Sequence, residues 1–249
     1  MPENLVLLHG FAGTRHTWDS VLQRLASERY TPLAFDLPGH GEATDTPMPI
    51  TFAACVEHVL ANSPARFVLC GYSMGGRVGL HVALAAPERV SRLVLISCTA
   101  GLAKEGDRVA RVAADNALAR DLEERSFTEF MDRWQAQPIF ADDPPEVHAA
   151  MRAEQQRNNP RALAAVLRGI GTGTMTPLWD RLSELQIPVT VLVGERDLKL
   201  HAPARRMVEK LPDGKLRMLP GGHRLPLENP QCVADALRSM SPTHSSKRP

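Results

Sequence analysis

Phe67-Val-Leu-Cys-Gly-Tyr-Ser-Met-Gly-Gly-Arg77 decides the fold. It opens as an apolar run of strand length and continues, past a sharp turn, into Val78-Gly-Leu-His-Val-Ala-Leu-Ala, which reads as a helix. The turn carries Ser73 in the pattern G-x-S-x-G, with Gly71 and Gly75 on either side. The glycines have a steric purpose. A serine on a strained strand-to-helix turn stands out over the end of a sheet, and a side chain at either flanking position would collide with the neighbouring strand or helix. The start of the helix then offers unpaired N–H groups and a positive dipole end to a developing anion. Alone, the motif also fits an ordinary Gly-rich strand-to-helix turn, so the rest of the chain has to decide.

Toward the N-terminus, Leu5-Val-Leu-Leu-His9 is a short apolar strand that breaks into Gly10-Phe-Ala-Gly13. In this position the N–H of Phe11 is expected to point at a substrate oxygen, joined by the N–H of Met74, as the two donors of an oxyanion hole. His9 is expected to brace its loop. Apolar residues at Trp18, Val21, Leu22 and Leu25 predict a helix over 17–25. Pro32–Phe35 reads as a strand, and Asp36-Leu-Pro-Gly-His-Gly41 as a tight, structural exit from it. A helix is expected over 52–61. Beyond the Ser73 helix, Val90–Ser97 is another buried strand. Short apolar runs alternating with amphipathic helices predict a mostly parallel, doubly wound α/β sheet.

From 101 to 179 the rhythm changes, with no convincing strand and much Ala, Arg and Glu. Helices are expected over 107–125, 127–136, 145–158 and 160–171, bounded by Pro138, Pro144, Pro145 and Pro160. We read this block as a helical lid inserted into a core formed by 1–100 and 180–240, above the sheet edge where ligands bind. The sheet resumes with Pro188–Val193 and Lys215–Leu219, with helices expected over 204–210 and 231–239. The polar stretch 241–249 reads as a disordered tail.

A net charge of +1 without a long basic run argues against nucleic acid or an anionic membrane as the main partner. Cys55, Cys70, Cys98 and Cys232 have neither metal-ligand nor paired spacing, so buried free thiols and a reducing cytoplasm are expected. No secretory leader or membrane-spanning run is read. No motif requires a metal or an organic cofactor. The oligomeric state has no signature.

Two further residues fall where a serine nucleophile needs them. Asp197 follows the strand ending at Val193, and His223 sits in a Gly-rich turn after the last strand. His223 would take the Ser73 proton, and Asp197 would fix its tautomer and stabilise the imidazolium. Glu195 competes for the acid position; Asp197 is preferred because the acid follows the turn at Gly194. The chain order Ser…Asp…His is that of the α/β-hydrolase fold.

His9-Gly-Phe, Asp36-Leu-Pro-Gly-His-Gly, Gly-Tyr-Ser73-Met-Gly-Gly, Gly-Glu-Arg-Asp197 and Gly-His223 together resemble an α/β-hydrolase over essentially the whole chain. A narrower resemblance rests on Gly-Tyr72-Ser73-Met-Gly-Gly-Arg77, Trp134-Gln-Ala-Gln-Pro138-Ile-Phe140, Leu167-Arg-Gly-Ile-Gly-Thr-Gly173 with Pro-Leu-Trp179, and Gly-Glu-Arg-Asp197-Leu-Lys199. These segments are similar to the 2-succinyl-6-hydroxy-2,4-cyclohexadiene-1-carboxylate synthases of the menaquinone pathway. That resemblance implies a lyase that eliminates pyruvate from an enolpyruvyl succinyl-cyclohexene carboxylate and uses the triad as a base. An anionic substrate of this kind calls for fixed cations, and an arginine fork suits a carboxylate. Arg77, one turn after Ser73, is the first candidate. Arg111 falls at the spacing from Trp134 at which the family has a carboxylate-binding arginine, Trp134 could wall the ring site, and Tyr72 could donate a hydrogen bond. Lys199 and Arg168 are further candidate cations. The bland readings are a surface ion pair for Arg77, a solvated charge for Arg111 and lid core for Trp134. After Gly-His223 many family members continue with polar residues and a second histidine, whereas this chain has Arg224-Leu-Pro-Leu-Glu-Asn-Pro. The alternative function is a serine carboxylesterase or thioesterase acting through an acyl-enzyme; a ligand-binding protein on the same fold is a third reading. Convergence of Arg77 and Arg111 on the Ser73 cleft separates the first two.

Overall fold

The computed structural model describes residues 2–25, 28–44 and 49–240. Among them, β1 (Glu3–Leu8), β2 (Tyr30–Ala34), β3 (Phe67–Tyr72), β4 (Val90–Ile96), β5 (Val189–Gly194) and β6 (Gly214–Leu219) form one sheet. Its order is β2-β1-β3-β4-β5-β6, and every pairing is parallel. Parallel strands are covered on both faces, which is why β3, β4 and β5 are buried at every position. Ser91 is accommodated within β4 by donating from Oγ to the Phe67 carbonyl at 3.0 Å. Pro32, which has no N–H to give a ladder, sits in the edge strand β2.

Alternation along each strand sorts the apolar residues onto two faces. Val6, Leu8, Leu69, Leu93 and Val191 pack with α2 (Phe52–Asn62), α3 (Met74–Ala85) and α8 (Leu198–Lys210). Leu5, Leu7, Val68, Cys70 and Val94 face the opposite way, onto α1 (Asp19–Arg24) and α10 (Pro230–Arg238). Strand order runs one way from β1 to β2 and the other way from β3 onward. The crevice at such a reversal, beyond the carboxyl ends of the strands, is where ligands bind in open α/β sheets. Leu8 and Tyr72, the last residues of β1 and β3, both end there.

Between β4 and β5 the chain forms α4 (Glu105–Glu124), α5 (Phe127–Gln135), α6 (Pro145–Gln155) and α7 (Pro160–Ile170). Asn159 caps α7 by accepting from the N–H groups of Arg161 and Ala162, with Pro160 in the first turn, where its missing N–H costs nothing. Ala119, Leu122, Phe130, Met151, Leu163 and Leu167 give these helices a core that also takes in Ala12 from the loop after β1. Two buried polar residues complete the junction. Glu154 accepts from the Thr14 amide at 3.0 Å and the Thr14 hydroxyl at 2.6 Å. Asn158 accepts from the Gly41 amide at 3.0 Å and donates to the Ala12 carbonyl at 3.1 Å.

Three local expectations need correction. The helix expected over 17–25 begins as a 3-10 turn, Arg15–Trp18, because Thr14 accepts from the His16 amide and starts the winding early; α1 proper ends at Arg24. The helix expected from 204 starts at Leu198 and passes through Pro203. Burial of Leu200, Ala204 and Met207 on one face outweighs the hydrogen bond that Pro203 removes. A short helix, α9 (Leu225–Glu228), was not anticipated. The tail 241–249 lies outside the described residues. Cys55, Cys70 and Cys98 are buried and Cys232 is half-buried, and all four are free. Burial pushes the thiols of Cys55 and Cys98 up to about 12, which leaves them unreactive at neutral pH. No described helix is long and apolar enough to cross a membrane.

Candidate active site

Ser73 joins β3 to α3 with φ 52° and ψ −110°, a left-handed conformation for a residue with a side chain. What holds it there is the crowding around its flanking glycines. A Cβ on Gly71 would stand 2.3 Å from the Gly75 carbonyl oxygen. The Ser73 amide is committed to the Ile96 carbonyl at 2.8 Å. Met74 opens α3, so its N–H is among those with no partner inside the helix. Across the strand reversal, Phe11 follows β1 in a turn closed by Gly13 N–H to the Gly10 carbonyl at 3.1 Å. Phe11 and Met74 line the same cavity as Ser73.

The Ser73 Oγ lies 3.1 Å from His223 Nε2, and His223 Nδ1 lies 2.8 Å from Asp197 Oδ2. With the proton on Nδ1, the histidine donates to the carboxylate and accepts from the serine hydroxyl, so one tautomer satisfies both contacts. His223 and Asp197 are buried, 8% and 1% exposed in their side chains, which keeps the contact between them out of bulk water. Asp197 closes the turn after β5 through its N–H to the Gly194 carbonyl at 3.0 Å, while Glu195 is exposed. The His223 turn is held from behind by Glu228 of α9, whose Oε2 accepts from the Gly222 amide at 2.6 Å.

These groups open on a cavity of about 240 Å³. Arg77, Arg111, Trp134 and Lys199 all line it. Arg77 is buried; its Nη1 donates to the Ile170 carbonyl at 2.7 Å, and its guanidinium lies 5.8 Å from the Phe52 ring. Burial, followed by the nearby Arg111, lowers its pKa to about 10, so it stays charged at neutral pH. Arg111 is half-exposed and donates from Nε to buried Asp115 at 2.8 Å. Two guanidiniums and one carboxylate therefore leave this corner one positive charge. Trp134 packs 4.7 Å from the Phe11 ring and 6.1 Å from Phe140. Tyr72 lines a smaller chamber of about 30 Å³ that also touches Ser73, His223 and Arg224; burial raises its phenol pKa. Arg168 lies apart, paired on the surface with Glu123 at 2.5 Å.

The loop after β2 is structural in its contacts. Asp36 accepts from the Arg15 amide at 2.7 Å and the Glu42 amide at 2.9 Å. His9 accepts at Nε2 from the Leu37 amide at 3.0 Å and meets the Gly10 carbonyl at Nδ1, so it ties two loops together as a neutral ring. Sequence reasoning missed the charged contact next to His223. Arg224 is fully buried and pairs with Asp143 at 2.8 Å, and the only sequence signal was its departure from the pattern expected after Gly-His223. Among the described residues, no three His, Cys, Asp or Glu side chains are grouped to hold a metal ion.

An all-parallel sheet with Ser73 on the strand-to-helix turn at its reversal, joined to His223 and Asp197, defines a class. The chain belongs to the alpha/beta hydrolase family, whose profile matches residues 5–236. Within that family it is similar to the 2-succinyl-6-hydroxy-2,4-cyclohexadiene-1-carboxylate synthase of Salmonella agona (strain SL483), with 32% identity covering 94% of this chain and 92% of that protein. The enzyme of the same name from Citrobacter koseri (strain ATCC BAA-895 / CDC 4225-83 / SGSC4696) is 31% identical, covering 94% and 91%. Among solved structures, MenH from S. aureus superimposes with a TM-score of 0.88 at 29% identity, covering 95% of this chain and 92% of that one.

Proposed function

We propose that this chain is a triad-dependent lyase of menaquinone biosynthesis. In this reading it eliminates pyruvate from an enolpyruvyl succinyl-cyclohexene carboxylate to give 2-succinyl-6-hydroxy-2,4-cyclohexadiene-1-carboxylate. The observation that carries the reading is the shared cavity: Arg77 and Arg111 line the space into which Ser73 and His223 open. An esterase acting on neutral acyl groups has no need of a buried guanidinium there, whereas a polyanionic ring substrate does. The names of the relatives point the same way.

The mechanism follows from the contacts. His223, oriented by Asp197, takes the Ser73 proton, and the serine oxygen removes a proton from the ring. The C–H electron pair moves into the ring as a double bond, the bond between the ring carbon and the enolpyruvyl oxygen breaks, and enolpyruvate departs, its methylene carbon taking up the proton held by His223 to give pyruvate. The Phe11 and Met74 amides hold the enolate-type anion as it develops. Arg77, Arg111 and Lys199 bind the carboxylates, Trp134 walls the ring, and Tyr72 supports the serine side of the site. The block α4–α7 acts as the lid that keeps water out. No step calls for a metal or an organic cofactor.

The test is pyruvate release from freshly generated enolpyruvyl substrate, with Ser73→Ala and Arg77→Ala as controls and p-nitrophenyl acetate in parallel. Ser73-dependent pyruvate release that collapses in Arg77→Ala, with feeble ester cleavage, is the expected result. Absence of pyruvate with brisk Ser73-dependent ester turnover would make the chain a carboxylesterase or thioesterase instead.

A further inference from the structure

Arg224 is a buried charge that the mechanism above leaves without a task. It follows His223 directly in the chain, and its side chain is 2% exposed. Its two principal contacts belong to a different part of the fold. Asp143, with an equally buried side chain, faces its Nη1 at 2.8 Å. The Phe140 ring lies under its guanidinium at 3.8 Å. Phe140 and Asp143 both come from the connection between α5 and α6, the stretch that also supplies Gln137 and Ile139 to the wall of the Ser73 cavity. The Phe140 ring then stands 5.8 Å from the His223 ring, completing a closed circuit from histidine turn to lid and back.

The charges explain why this circuit has one register. Burial lowers the Arg224 pKa and raises that of Asp143, so each charge is disfavoured in this setting without the other. When the connection lifts, both charges regain water. When it sits down, they must meet each other. A planar guanidinium that stacks on one lid residue and pairs with another also fixes the angle at which the lid arrives, which a lysine ammonium cannot do.

We propose that Arg224 is a positioning residue. Paired with Asp143 and stacked on Phe140, it seats the 138–143 segment of the lid on the His223 turn, so that closing the site and setting the His223 ring against Phe140 are one event. The proposal rests on Ser73, His223 and Asp197 as the reacting groups, whichever bond they break.

Two measurements on the full chain test it. Hydrogen–deuterium exchange across 138–143 reads the seating of the lid. The rate at which a fluorophosphonate modifies Ser73 reads the histidine-activated hydroxyl without any substrate. Arg224→Gln and Asp143→Asn each leave one buried charge unpaired, and each is expected to speed exchange across 138–143 and slow Ser73 modification by about tenfold or more. Arg224→Lys, which keeps the charge but loses the stack, should fall between. The double variant Arg224→Gln/Asp143→Asn buries no unpaired charge but lacks both pair and stack, so it should recover only in part, to about the level of Arg224→Lys, in both readouts. Unchanged exchange in both single variants would overturn the proposal. So would faster exchange with an unaltered Ser73 rate, which would make the pair structural only, or a double variant that sums the two single losses. A wild-type chain whose Ser73 does not react at all would instead overturn the triad reading beneath it.

Discussion

A Cβ placed on Gly75 would stand 2.4 Å from the carbonyl oxygen of Leu8 and 2.5 Å from that of His9. The first turn of α3 therefore rests directly on the backbone at the end of β1. The Met74 amide is carried by that turn, and the Phe11 amide by the loop just past Leu8. Backbone at that distance cannot give way as a flexible side chain does. Gly75→Ala should lower unfolding stability by about 3 kcal/mol and shift the Met74 amide, with a loss of pyruvate release on the order of a hundredfold. Urea denaturation and a coupled pyruvate assay would check the two effects separately.

In the proposed triad, Asp197 sets which nitrogen of His223 carries its proton, through the 2.8 Å contact at Nδ1. Asp197→Asn leaves the shape intact but favours the wrong tautomer, and kcat should fall by about four orders of magnitude. Thermal unfolding run beside the kinetics should show that the fold survives.

Arg77 is desolvated by the protein whether or not substrate is present, so its charge is available to a carboxylate at little extra cost. Arg77→Ala should reduce kcat/KM for the proposed anionic substrate by roughly 10- to 100-fold, the worth of a hydrogen bond to a charged group. Arg77→Lys should recover only part of this, because the fork is lost. Steady-state kinetics of the two variants would show it.

Ser73 at φ 52° stores backbone strain that a glycine would not. Ser73→Gly should be more stable than Ser73→Ala by about 1 kcal/mol, after the entropy of the glycine is subtracted from the relief of strain. Both variants lack the hydroxyl and should release no pyruvate, so differential scanning calorimetry isolates the strain.

His9 and His40 are fully buried with ring centroids 4.9 Å apart. Burial lowers both pKa values from the ordinary 6.5, that of His40 well below it, with His9 adding to the effect. Below pH 6.5 the unfolded chain takes up protons that the folded chain refuses, so the unfolded state binds more of them. Stability is therefore full above pH 6.5 and falls as the pH drops from there toward the depressed folded values. His40→Gln should flatten that fall, seen as a smaller decrease in Tm between pH 7 and pH 5.

What could be read from sequence follows how local the cause is. The Ser73 turn was legible because Gly71 faces backbone only four residues along the chain, at Gly75, and α7 was legible because Pro160 marks its start. The end of α5 and the starts of α6 and α7 were marked by prolines. The start of α8 was not legible, since Pro203 argues locally for a break and only the packing of Leu200 and Met207 shows why the helix continues. The contacts of Tyr72 and Arg224 were equally hidden. Nothing along the chain says that residue 224 meets residue 143, and the partners are brought together only by the path of α5 and α6. Arg77 could be named as a candidate from its place one turn after Ser73 and Arg111 from the family resemblance, but not the Asp115 carboxylate that takes up half the charge they bring.

The pairing of Leu8 with Gly71 across β1 and β3 has an evolutionary consequence. The two amides proposed to bear the anion belong to peptide groups just beyond that rung of the ladder, so their separation is inherited from strand spacing and owes nothing to any side chain. Mutation can rewrite residues 101–179 and leave that pair untouched so long as Glu154 and Asn158 keep their bonds to Thr14 and Ala12. A lineage carrying this sheet can thus change its cargo through the helix residues that face the cavity, while the proposed means of stabilising negative charge passes on unaltered.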